Sequence, residues 1–138
     1  MRHKKNYLMI FLLLICHVAF SVNGQISDKT VLDISGQEYK YIESYAFFRC
    51  YNVKTVSFSD SLISIGEGAF EDCYNLENVV LPDGCEEIDD EAFFCCVSLK
   101  TIEIPPSVIY FGENIFPLDI LMVVKQGSEA EKYAKKTI

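Results

Sequence analysis

The chain has 138 residues, half of them apolar, with 12 basic residues against 20 acidic ones. That is one domain's worth of sequence with enough apolar mass for a core. A formal net charge of −8 makes nucleic acid and anionic membrane poor partners, because phosphate binding needs clustered lysine and arginine.

Residues 1–24 read as a secretory signal peptide. Arg2, His3, Lys4 and Lys5 form a basic start, residues 8–20 an apolar run, and Val22-Asn23-Gly24 a small-residue cleavage site before Gln25. An uncleaved anchor fits less well, since the run is short for a spanning helix and His17 interrupts it. No later run is long enough to span a bilayer, so the mature chain is expected outside the cytosol, without a transmembrane segment. Losing Arg2, Lys4 and Lys5 takes the basic residues from 12 to 9 against 20 acids, a net of −11. Basic partners are then preferred electrostatically, though weakly at extracellular salt.

Both histidines fall in the leader. A mature chain without them has no Ser-His or Cys-His catalytic pair and no histidine-containing zinc site. The expectation is no enzyme, no catalytic residue, no cofactor and no metal. Five cysteines remain, Cys50, Cys73, Cys85, Cys95 and Cys96. An odd number argues against a dense disulfide framework, and the pairing of each stays open.

Residues 25–41 are read as an N-terminal cap, with a degenerate strand over 30–35 and Tyr39 lying 23 residues before Leu62. Three 23-residue units follow, 42–64, 65–87 and 88–110, with their key residues in step. Ile42, Ile65 and Ile88 open them. The pairs Ala46-Phe47, Ala69-Phe70 and Ala92-Phe93 come next, then Cys50, Cys73 and Cys96. Val53, Leu76 and Leu99 lead into Val56, Val79 and Ile102, then Phe58, Leu81 and Ile104. A period of this length marks a solenoid, a stack of equivalent turns. The stretch Leu76-x-x-Val79-x-Leu81 has strand spacing and stops at Pro82 and Gly84. The return path through Cys85, Ile88, Ala92, Phe93 and Cys96 suits a tight helical or 3₁₀ arc. Successive strands should pair in parallel, and no unit could stand alone.

Phe111, Ile115 and Phe116 preserve the opening of a partial fourth unit, 111–116. The pattern breaks at Pro117, and Asp119 replaces the cysteine. Residues 117–138 read as a C-terminal cap with a last strand at 121–124 and a short helix over 128–136. Ser128 stands at its N-cap and Glu131 at the capping-box position, with Ala130, Tyr133 and Ala134 facing the last rung.

The pattern I-x-x-x-A-F-x-x-C-x-x-L-x-x-V-x-(L/I)-P resembles the leucine-rich repeat of the BspA or Treponema pallidum type. The tail VVKQGSEAEKYAK at 123–135 is similar to the ending such proteins often carry. The first unit departs with Phe58-Ser59 where the others have a proline, and Asp89 replaces the usual glycine after Ile88. The resemblance implies a short α/β-type leucine-rich-repeat stack, with a parallel sheet on the concave face and short helical or 3₁₀ arcs on the return side. It also implies secreted or surface proteins of bacteria and some protists, commonly linked to adhesion and to binding host proteins.

The strand residues between core positions, Thr55, Ser57, Asn78, Val80, Thr101 and Glu103, form the candidate protein-binding face. Cys50, Cys73 and Cys96 stack at the spacing of parallel strands, about 4.8 Å, and read as buried thiols acting as small hydrophobes. Cys95 faces outward beside Cys96 and is the candidate reactive or intermolecular thiol. The run Glu86, Glu87, Asp89, Asp90 and Glu91 lacks a calcium-loop pattern and reads as a solvated edge. Tyr45, Phe48, Tyr51, Tyr74 and Phe94 flank the core columns. The function expected is a secreted or cell-surface module binding an extracellular or host protein, in adhesion or cell-surface interaction. The alternative is a structural solenoid that self-associates without an external ligand.

Overall fold

A chain that repeats every 23 residues brings equivalent residues of successive units side by side, with their strands pointing the same way. The computed structural model describes residues 31–36 and 38–137. The expected leader, 1–24, and residues 25–30 of the expected cap lie outside the described residues. In chain order the elements are β1 (Val31–Asp33), β2 (Tyr41–Ile42), β3 (Thr55–Ser57), β4 (Ser64–Ile65), β5 (Asn78–Val80), β6 (Glu87–Ile88), β7 (Thr101–Ile104), β8 (Tyr110–Phe111), β9 (Leu121–Val124) and α1 (Glu129–Thr137).

Every pairing is parallel. One side of the stack carries β1-β3-β5 and, separately, β7-β9; the other carries the continuous sheet β2-β4-β6-β8. Where the sequence repeats cleanly, the register is the repeat itself: Val56 stands opposite Val79, and Ile65 lies between Ile42 and Ile88. At the ends it shifts. Val31 pairs with Thr55, an offset of 24, and Thr101 pairs with Leu121, an offset of 20. The structure is thus a short parallel β-solenoid, the fold class the sequence implies.

The return path differs in detail from the expected helical arc. Ile42, Ile65 and Ile88 belong to two-residue strands of the second sheet, and the residues after them form turns with no helical stretch before α1 among the described residues. The backbone explains why. Tyr45, Gly68, Glu91 and Asn114 share a left-handed conformation with φ of 52–58°, and Arg49, Asp72 and Cys95 share another at 59–60°. Two left-handed residues four apart interrupt a helix.

The amides of each arc are used alternately instead. Ala46, Phe48 and Cys50 donate back within the turn to the carbonyls of Glu43, Tyr45 and Phe47. Tyr45, Phe47 and Arg49 donate across the rung to Glu67, Ala69 and Glu71 at 2.8–2.9 Å. The next arc repeats this, with Gly68, Phe70 and Asp72 donating to Asp90, Ala92 and Phe94. The arc is therefore a third line of rung-to-rung hydrogen bonds, which satisfies polar backbone that would otherwise be buried unpaired.

Inside, each column holds one kind of side chain. Phe47, Phe70, Phe93 and Phe116 stack with centroids 5.0, 5.3 and 5.8 Å apart and planes within 15°. The three isoleucines, the alanines before the phenylalanines and the strand residues Val56, Val79 and Ile102 are all buried around them. At the far end Ser128 Oγ accepts from the Glu131 amide, and Glu131 Oε2 accepts from the Gly127 amide, so the helix start is capped. α1 buries Ala130 completely and lays Tyr133 on Phe111, with centroids 4.6 Å apart.

The cysteine column does more than fill space. Cys73 Sγ donates to the Phe47 carbonyl and Cys96 Sγ to the Phe70 carbonyl, each at 3.1 Å and each one rung back. Cys73, Cys85, Cys95 and Cys96 are free thiols. Burial pushes Cys73 up to about 12 and Cys85 up to about 11, and raises Cys96 as well. Cys95 is half-buried and its thiol is also raised, by partial burial first and then by the neighbouring Asp72 and Glu71 carboxylates.

Four outcomes are expected. Phe70→Ala should cost about 3–5 kcal/mol, seen in urea titration as one cooperative loss of the whole stack rather than of one rung. Gly68→Ala should destabilise by at least about 1 kcal/mol, because φ is positive there and a new Cβ would meet the Tyr45 ring. Glu91→Gly, at the equivalent position of the next rung, should instead raise the melting temperature, since it removes a left-handed penalty of about 1–2 kcal/mol for a smaller entropic cost. In native thiol labelling followed by mass mapping, Cys95 should react first, more slowly than an unhindered cysteine and faster as pH rises. Cys73 and Cys96 should react only on unfolding. Native label on either one contradicts this assignment.

Candidate functional site

Residues of a strand alternate between faces, so each inward core residue leaves its neighbours outward. On the strand side the inward positions Val56, Val79 and Ile102 are buried. The outward positions line up in two rows across the rungs. The ladders carry one row through Val31, Thr55 and Asn78 and again through Thr101 and Leu121, and the other through Asp33, Ser57 and Val80 and again through Glu103 and Val123. The 23-residue repeat makes Thr101 and Glu103 the equivalents of Asn78 and Val80. All six residues marked as the candidate face lie in these rows: Thr55 and Ser57 half-buried, Asn78, Val80, Thr101 and Glu103 exposed.

The rows extend further than the sequence signalled, adding Val31 and Asp33 before the first unit and Leu121 and Val123 after the third. The C-terminal pair is hidden from periodicity because the last step is 20 residues rather than 23. Aligning the strands by their own apolar alternation, with the arc allowed to shorten at Pro117, would have found it.

This face is chemically mixed. Small polar groups dominate its first rungs, whereas Val80, Leu121 and Val123 leave apolar surface in water. At the strand exits a groove of about 450 Å³ is lined by Val80, Leu81, Asp83, Glu103, Pro105 and Val123 among others. Around it the two parts of the strand-side sheet separate: β5 and β7 are spatial neighbours, yet no ladder joins them among the described residues. Pro105 has no amide to donate at the exit of that step.

The other marked residues lie elsewhere. Cys95 sits in the arc, at one of the left-handed positions, away from the strand rows. Tyr51 and Tyr74 stack on the arc surface with centroids 5.4 Å apart, and Tyr45 meets Phe48 edge-on. Arg49 lies over the Phe48 ring at 4.7 Å and pairs with Asp72 at 3.1 Å. The Tyr45 hydroxyl donates to Glu67, which pushes its pKa up to about 12. These aromatics are packed against their neighbours over the arc.

Carboxylates of the acidic run are partly engaged in turn geometry. Asp89 Oδ1 accepts from the Asp90 amide, and Asp90 Oδ1 from the Glu113 amide of the next rung. Among the described residues no group of three or more His, Cys, Asp or Glu side chains is placed to hold a metal ion. No helix among them is long and apolar enough to cross a membrane.

Comparison with known proteins agrees with this geometry. Residues 19–126 match the BspA type leucine rich repeat region, in six copies. A leucine-rich repeat protein from Bacteroides capillosus is 29% identical, with a TM-score of 0.63 over 76% of this chain and 80% of that one. The leucine-rich repeat protein of T. pallidum is 28% identical, with a TM-score of 0.59 over 76% of this chain. The present chain spans 55% of that protein. A leucine-rich cell surface protein from Faecalibacterium prausnitzii is 26% identical, with a TM-score of 0.60 over 75% of this chain and 34% of that one. No curated protein matches the sequence. Such repeats are typically protein-interaction modules rather than enzymes, and the chain belongs to the BspA-type leucine-rich-repeat family.

Proposed function

We propose that the chain is a secreted or cell-surface adhesion module that binds an extracellular or host protein through its strand face. The observation that carries this reading is the pair of in-register outward rows, held by a buried core and free to vary. Such a surface offers small hydrogen-bonding groups beside exposed valines, a mixture suited to a protein partner and unsuited to a small substrate. The likeness to a protein described as a cell surface protein, and the basic, then apolar, start of the sequence, support the extracellular assignment.

Self-association is a second reading, favoured by the far end of the stack. Leu118 is fully exposed there, beside a hollow of about 290 Å³ lined by Phe94, Phe116, Ile120 and Met122 among others. An apolar end rung of this kind suits stacking on another copy.

The deciding experiment is binding of the purified chain to immobilised extracellular-matrix and plasma proteins at physiological salt, beside a Thr55→Lys, Asn78→Lys, Thr101→Lys variant. The expected outcome is saturable binding by a monomer that the folded variant loses by at least about thirtyfold, as for truncation of hot spots worth about 2 kcal/mol or more. Absence of binding, together with a mass that rises with concentration and falls back in Leu118→Ser, would decide for self-assembly.

A further inference from the structure

Of the five positions in the row Asp33, Ser57, Val80, Glu103, Val123, the last three form an apolar–acidic–apolar sequence. Val80 is 65% exposed and Val123 is 48% exposed. Glu103 is paired directly with Val123 on β9 and faces β5 on its other side, across the step where the ladder is open. Asp83, one turn beyond Val80, adds a second carboxylate to the lining of the same groove, and Lys125 is the one cation of that lining. The groove, about 450 Å³, has room for a long side chain; buried Leu81, Ile104 and Pro105 line it together with exposed Val80 and Val123 and the exposed Glu103 and Asp83.

We infer that this groove, on the protein-binding face proposed above and resting on that reading, takes an arginine or lysine side chain presented by an extended segment of the partner protein. The chemistry is that of a long cationic side chain. Its aliphatic stem covers the valines while its head meets the Glu103 and Asp83 carboxylates. Charge complementarity points the same way over longer range, because the chain as a whole carries 20 acidic residues against 12 basic ones. The neighbouring rows do not offer this combination. Thr55, Asn78 and Thr101 are neutral, and of the acids Glu86 and Glu87 the second lies on the second sheet and the first immediately before it.

The test uses the full chain and two synthetic probes: an extended heptapeptide with arginine at alternate positions, and its citrulline counterpart, which keeps the shape and loses the charge. At physiological salt the arginine peptide should bind saturably and at least about tenfold more tightly than the citrulline peptide. Glu103→Gln should remove that margin and Asp83→Asn should narrow it, whereas Glu86→Gln with Glu87→Gln should leave it unchanged. Circular dichroism checks that each variant is folded. Binding that ignores the citrulline exchange, survives Glu103→Gln, or falls equally in the Glu86 and Glu87 variant overturns the inference. The two readings fail separately. A panel protein whose binding is lost in the triple-lysine variant but indifferent to Glu103→Gln keeps the protein-binding face and removes the cation groove.

Discussion

Rung-on-rung registry is the constraint on which the rest of the structure depends. Each unit exposes apolar surface on both of its flat sides and carries backbone groups that find no partner within the unit. Stacking at a fixed offset resolves both problems at once. The phenylalanine column lies with planes nearly parallel at 5.0–5.8 Å, and the amides on strand side, second sheet and arc reach the rung beside them. A residue that fits in one rung must then fit against its copies above and below. That is why the columns are chemically uniform where burial is complete and free to vary where side chains reach water.

The cysteines illustrate how registry turns a packing choice into a bonding one. A small apolar side chain would fill the position behind the phenylalanines, yet a thiol also donates to the carbonyl of the phenylalanine one rung back. That carbonyl already accepts the amide of its own turn's cysteine. Burial of the thiol and its hydrogen bond are therefore parts of one arrangement. The raised pKa of Cys73 follows, since the charged form would lose the surroundings that the neutral form fits. Cys95, one residue before the column, takes the left-handed backbone position instead, and its acidic neighbours oppose ionisation there.

What the sequence made legible tracks the same constraint. The columns at Ile65, Phe70, Cys73, Leu76 and Val79 were visible because each repeats at 23 residues and each is buried. The arc's true conformation was not visible. Tyr45, Glu91 and Asn114 occupy left-handed positions that glycine would have advertised, and only Gly68 does so. The two-residue strands of the second sheet were hidden as well, because one inward isoleucine per strand carries no alternation. The face residues from Thr55 to Glu103 followed from strand alternation alone. Leu121 and Val123 did not, because Pro117 ends the fourth arc early and takes the last strand out of period. The opening between β5 and β7 leaves no mark in residue type, since Val79 and Ile102 look like any other core pair of the series.

The division of labour between faces then follows from where registry relaxes. On the second sheet the ladder is continuous over four strands, and its outward row is Tyr41, Ser64, Glu87 and Tyr110. On the strand side the ladder is interrupted once, and at the interruption the outward residues change from small polar groups to valines around a carboxylate. The core columns continue through that step without a break, since Phe70 still stacks on Phe93 at 5.3 Å and its amide still bonds to Ala92 at 2.8 Å. The stack thus holds its shape from the arc and the phenylalanines, which leaves the strand side able to open locally. A local opening of the ladder is therefore tolerated at that step, beside the exposed Val80.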